Sequence, residues 1–161
     1  MDWDEYFIRI AGTVRLKSKD PSSKIGAVIV GPEKQVISTG YNGFPRKVGE
    51  QEERWQRPIK YEYVCHAEVN SIYNAARHGI SLRGTTLYLV SFGPPTLPCI
   101  DCSKAIIQSG IEKVVGAAYK PVPENWLDNL NKALTMLNEG GVEFMEFLKK
   151  SDIPRESLFE K

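Results

Sequence analysis

No apolar run in the chain approaches the roughly 18 residues that would span a bilayer. The opening Met1-Asp2-Trp3-Asp4-Glu5 is acidic and lacks the basic n-region and apolar stretch of a signal peptide. Charge of one sign is also missing. Lys and Arg number 21 against 20 Asp and Glu, so the formal net charge is +1 and no global electrostatic footprint for a polyanion exists. Cysteine is scarce, three residues in 161, which is too few for a disulfide framework. Histidine is scarcer still, with two. These absences argue against a membrane partner and against a large nucleic acid, and they place the expected location in a reducing cytoplasm.

What is present suits one globular domain over 1–161 with a charged tail over 149–161. The hydrophobic share of 42% and the charged share of 25% are ordinary for such a chain. Trp3, Phe7, Ile10 or Ala11, and Val14 recur at helical spacing and predict a helix from Trp3 to about Lys19, ended by Asp20-Pro21. Ile25 to Val30 reads as a buried strand, Gly31 to Lys34 as a turn, and Gln35 to Tyr41 as an antiparallel partner strand. The polar stretch from Arg46 to about Tyr63, with Trp55 as its main apolar anchor, reads equally well as a surface loop or a lid.

Beyond it, helices are expected at His66–His78, with an apolar face of Val69, Ile72, Tyr73 and Ala76, at Ile100–Ser109, and around Trp126–Leu137. Strands are expected at Thr86–Val90, Val114–Ala118 and Val142–Leu148. The order implies an α/β sandwich whose later strands run parallel.

The chemistry-bearing residues gather in two short segments, Cys65-His66-Ala67-Glu68 and Pro98-Cys99-Ile100-Asp101-Cys102. A histidine, a carboxylate two residues on, and a downstream Pro-Cys-x-x-Cys form the signature of zinc-dependent nucleobase deaminases. His66, Cys99 and Cys102 supply the three protein ligands of a catalytic zinc and leave its fourth position for water. Both segments fall at expected helix starts, where the dipole and free N–H groups favour thiolate. Glu68 is then the proton shuttle, base first and acid later. Cys65 reads as a small buried hydrophobe rather than a fourth ligand, and His78 as a surface residue. Taken alone, Cys99-x-x-Cys102 could be a redox pair or half of a structural zinc site; the combined pattern favours an enzyme.

Around these motifs, the chain resembles the deoxycytidylate (dCMP) deaminase family over roughly Ile8 to Tyr119. The resemblance is carried by Ser18-Lys-Asp-Pro-Ser-Ser-Lys-Ile-Gly-Ala27, Gly40-Tyr-Asn-Gly-Phe-Pro45, Tyr63-Val-Cys-His-Ala-Glu-Val-Asn-Ser-Ile72 and Pro98 to Gly110. It implies a cytidine deaminase-like three-layer sandwich, a five-stranded mixed sheet with helices on both faces. It also implies zinc-dependent conversion of dCMP to dUMP and ammonia, supplying dUMP for thymidylate synthesis.

Among substrate contacts, the resemblance implies Asn42 near the sugar and Ser22, Ser23 and Lys24 at the 5′-phosphate, with Lys120 as a rival. Ala67, inside the motif, is a further substrate-binding candidate. Many members of the family are homo-oligomers activated by dCTP and inhibited by dTTP, with the Gly-Tyr-Asn-Gly segment near the effector. The loop between Asn42 and the His-x-Glu motif holds no Cys or His before Cys65, so one zinc per chain is expected. Gly93 to Leu97 looks like an insertion at the mouth of the site. The alternatives are a deaminase of another cytosine nucleotide or nucleoside or of tRNA adenosine, and a protein that zinc merely staples.

Overall fold

The computed structural model describes residues 1–91, 97–118 and 123–147. Helix α1 (Trp3–Val14) opens on an Asp2 N-cap whose carboxylate accepts the Glu5 N–H at 2.7 Å, and a short 3-10 turn over Arg15–Lys17 closes it. The expected helix to Lys19 is therefore shorter. Strands β1 (Ile25–Val30) and β2 (Val36–Tyr41) form the expected antiparallel hairpin. Then come α2 (Lys60–Tyr63), α3 (Ala67–Arg77), β3 (Thr85–Ser91), α4 (Ile100–Ser109), β4 (Ile111–Ala118), α5 (Glu124–Glu139) and β5 (Glu143–Glu146). The expected end of the last strand at Leu148 and the 149–161 tail lie outside the described residues, as do residues 93–96 of the apparent insertion and Lys120.

The sheet order is β2-β1-β3-β4-β5, with β1 antiparallel to both neighbours and β3, β4 and β5 mutually parallel. Alternation along the strands splits the core into two layers. Ala27, Ile29, Leu87, Leu89 and Val114 point to one face, against Ile72 of α3, Ile106 of α4 and Leu137 of α5. Val28, Val30, Tyr88, Val90 and Val115 point to the other, against Phe7, Ile8 and Ala11 of α1. Helices cover both faces, which is the expected three-layer sandwich.

Two expected helix faces differ from those observed. In α1, Trp3 is exposed and stacks on Phe7, while Ile8 and Gly12 are buried in its stead. In α3 the buried face is Ala67, Glu68, Ser71, Ile72 and Ala75, whereas Tyr73 and Ala76 are exposed. Small residues allow this: α3 lies so close to β2 that a Cβ at Gly40 would come within 2.4 Å of the Ala67 carbonyl oxygen and the Ser71 amide nitrogen. The Ser38 hydroxyl donates to the Ser71 carbonyl across the same contact at 2.7 Å. Helical periodicity seeks large apolar residues and misses a face built from alanine and serine.

Candidate active site

The site forms where α3 and α4 begin. His66 is the N-cap residue of α3 and Cys99 that of α4, both with extended backbone, and Cys102 lies in the first turn of α4. His66 is held from behind: Gly43 and Cys65 exchange backbone hydrogen bonds of 3.1 and 2.8 Å, tying the end of β2 to the residue before it. Asn70 adds a side-chain bond to the Tyr41 carbonyl at 2.8 Å. At the other helix, the Asn129 side chain of α5 accepts the Ile100 N–H at 3.1 Å, satisfying one of the free donors at the α4 start.

His66 Nδ1 stands 3.5 Å from Cys99 Sγ and 3.3 Å from Cys102 Sγ, and the three donor atoms lie within 4.8 Å of one another. Tetrahedral bonds of about 2.3 Å to sulfur and 2.0–2.1 Å to nitrogen put such atoms about 3.5 Å apart, so this trio fits zinc. The Cys102 and His66 hydrogen bonds draw the Cys99 thiol down to about 4, overcoming burial. The hydrogen bond to Cys99 lifts His66 to about 9, and the Cys102 thiol is pushed up by Cys99 and by burial. Neither Cys65 nor His78 belongs to the group among the described residues. Cys65 is half-buried rather than buried, and His78 is exposed at the end of α3.

Glu68 completes the group. It is only 4% exposed, and its Oε2 has no hydrogen-bond partner among the described residues. Burial pushes its carboxyl up, against the pull of His66. A buried carboxylate oxygen left without a donor is costly, and a catalytic role is one of the reasons a fold keeps one.

These residues open onto a pocket of about 100 Å³. Ile25, Val64, Leu89, Leu97 and Trp126 supply apolar walls; Ser23, Asn42, Arg57 and Lys60 supply polar ones. Of the expected substrate contacts, Asn42 and Ser23 line this pocket, while Lys24 is exposed outside it and Ala67 is packed into the core. Ser22 is a framework residue, bonded to Asp20 and Lys60. Asn42 is heavily committed: Oδ1 accepts the Ile25 N–H at 2.8 Å, and Nδ2 donates to Asp20 at 3.0 Å and to the Ser23 carbonyl at 2.7 Å.

Several lining residues carried no distinguishing signal in the sequence. Lys60 is one of several cations in a polar stretch, yet it is 5% exposed and forms an ion pair of 2.6 Å with Asp20, itself 1% exposed. The Asp20-Pro21 dipeptide reads as a helix breaker and as part of the Ser18–Ala27 segment that carries the resemblance, with nothing to mark its ion pair. Within the Arg46–Tyr63 stretch, Arg57, Lys60 and Tyr61 line the pocket, and Trp55 anchors it as expected, stacking on Phe44 with ring centroids 4.2 Å apart.

Comparison with known proteins places this geometry. Residues 1–118 match the family model for the cytidine and deoxycytidylate deaminase zinc-binding region. The chain is 35% identical over 156 residues to human deoxycytidylate deaminase, covering 93% of this chain and 82% of that one. It is 34% identical over 146 residues to an uncharacterized deaminase of Aliivibrio fischeri, covering 88% and 90% of the two chains. The crystal structure of dCMP deaminase from cyanophage S-TIM5, in complex with dCMP and dUMP, superposes with a TM-score of 0.69 at 26% identity, covering 89% of this chain and 95% of that one.

Proposed function

The chain belongs to the cytidine and deoxycytidylate deaminase family, and from that premise we propose that it hydrolyses dCMP to dUMP and ammonia, with one zinc per chain, so that its product feeds thymidylate synthesis. The observation that carries the reading is the unpartnered Oε2 of buried Glu68 beside the His66, Cys99 and Cys102 donors. Supporting it, human deoxycytidylate deaminase aligns with this chain over 82% of its length.

Zinc on these three donors would act as a Lewis acid that brings the pKa of a water molecule to about 7. The chain's own residues do the rest. Glu68 Oε2 accepts a proton from the attacking water and delivers it to the ring nitrogen as the C–O bond forms at the amine-bearing carbon. It then carries the second proton to the departing amino group, so that ammonia leaves and the carbonyl of the uracil ring remains. A raised carboxyl pKa suits this double duty, because the acid form is needed halfway through. Ile25, Leu89 and Trp126 give the pyrimidine an apolar slot. Asn42, which lines the pocket, takes a sugar hydroxyl on Oδ1 beside the Ile25 N–H in this reading.

Ammonia release across dCMP, CMP, dCTP, deoxycytidine and a tRNA anticodon stem, with zinc quantified, tests the reading. The net charge of +1 favours the small nucleotides over the tRNA.

Regulation by dCTP and dTTP and assembly into oligomers belong to the same reading. In its favour, the Gly40–Pro45 segment borders a second cavity of about 430 Å³ that includes Tyr41, Phe44, Arg46, Asn74 and Arg77. Titrating dCTP-Mg and dTTP against initial rate should change activity, and a flat response to both would remove the effector role.

A further inference from the structure

The peptide group between Cys99 and Ile100, at the start of α4, is gripped at both ends. Its carbonyl oxygen accepts the Ser103 N–H at 2.9 Å and the Ser103 hydroxyl at 3.0 Å. Its N–H donates to Asn129 Oδ1 at 3.1 Å. Ser103 is fully buried and Asn129 half-buried. A peptide group is planar, so anchors at its two ends fix the whole plane.

Cys99 directly precedes that plane, with extended backbone. Swinging its Sγ by rotation about its own Cα–C bond would turn the plane as well, and the anchors resist this. The Gly43–Cys65 bridge steadies His66 from the upstream side, whereas Cys99 is steadied from the downstream side. Ser103 belongs to α4 itself, so its bonds tie the peptide only to its own helix. Asn129 comes from α5 and ties it to a different element. Asn129 also lies three residues after Trp126, hence on the same side of α5, and Trp126 lines the catalytic pocket. The first two turns of α5 therefore both wall the pocket and hold the peptide that carries Cys99.

Resting on the reading that His66, Cys99 and Cys102 hold zinc, we propose that Asn129 is a positioning residue of that centre. Its Oδ1 fixes the Cys99–Ile100 peptide so that Cys99 Sγ meets the metal, and the affinity for zinc thereby depends on how α5 is seated. Partners that orient metal ligands without touching the metal are commonly worth about 10–100-fold in metal affinity.

The test is the zinc affinity of the full chain, measured by competition with a chromophoric chelator in wild-type, Asn129→Ala and Asn129→Asp proteins. Asn129→Ala should bind zinc about 10-fold more weakly, at the lower end of that range because Ser103 still holds the carbonyl. Asn129→Asp keeps an acceptor oxygen at the same reach and should stay within about threefold of wild type. Zinc-free Asn129→Ala should melt no more than about 2–4 °C below zinc-free wild type, the shift of one ordinary hydrogen bond. Zinc affinity within about threefold of wild type in Asn129→Ala would overturn the inference. So would an Asn129→Asp protein that loses as much as Asn129→Ala, since the acceptor would then not be what matters. A larger drop in the zinc-free melting temperature would overturn it too, by making the contact one of folding. Wild-type protein that binds no zinc would overturn the metal reading and this inference with it.

Discussion

Glu68 combines burial, a raised proton affinity and an oxygen that nothing in the described fold satisfies. A residue kept for packing would not be a glutamate there, since Gln or Leu would spare the desolvation cost. Glu68→Ala should leave fold and zinc content intact and cut kcat by about 10²–10⁴, the usual share of general acid–base catalysis. Cys102→Ala should differ: it removes a donor standing 3.3 Å from His66, and the protein should lose zinc as well as activity. Zinc assay and turnover on both variants separate shuttle from ligand. Retained activity in Glu68→Ala would remove it from the mechanism.

At the scale of elements, the site depends on two helix starts and on the two segments that wall the pocket. The Asp20–Lys60 pair joins these segments, the turn before β1 and the chain leading into α2. Removing one partner of a buried pair leaves an uncompensated charge, so Lys60→Met should destabilise the protein by about 3–5 kcal/mol, and the Asp20→Asn, Lys60→Met double variant by less than the sum. Burial raises the Asp20 carboxyl, but the hydrogen bonds from Lys60, Ser22 and Ser23 outweigh it and set its pKa below the ordinary 3.8. A depressed carboxylate pKa stabilises the fold fully above the unfolded value and loses that contribution as pH falls through the folded value. Denaturation midpoints should therefore fall more steeply below about pH 4 in wild type than in Asp20→Asn.

The same scale shows what was legible in the sequence. Val28, Ile29 and Val30 announced β1, and the Gly31–Lys34 turn announced the hairpin, because both signals are local. His66, Cys99 and Cys102 could be grouped because fixed spacing within each segment reports helix starts, and scarcity left few other ligands. Lys60 could not be found. Its significance lies in burial against Asp20, forty residues earlier in sequence (60 against 20), and no periodicity marks a single buried cation in a polar stretch. The α3 face was misread for a related reason: Ser71 is buried by the close approach to Gly40, which hydrophobic pattern cannot register.

At the scale of the whole molecule, one sheet positions everything. Alternating side chains make two core layers, and the helices on one of them bring His66 and the two cysteines to a common point. Among the described residues no helix is long and apolar enough to cross a membrane, and the formal net charge of the chain is +1. On the proposed reading, recognition falls to the pocket, whose described lining combines apolar walls with polar side chains. The measurement that bears most directly on this account is ammonia release by the zinc-loaded protein across dCMP, CMP, dCTP, deoxycytidine and the tRNA stem, repeated after chelation. The account predicts the highest kcat/KM on dCMP and loss of that activity when zinc is removed. Equal or greater turnover of the tRNA adenosine, or dCMP turnover that survives metal removal, would contradict it.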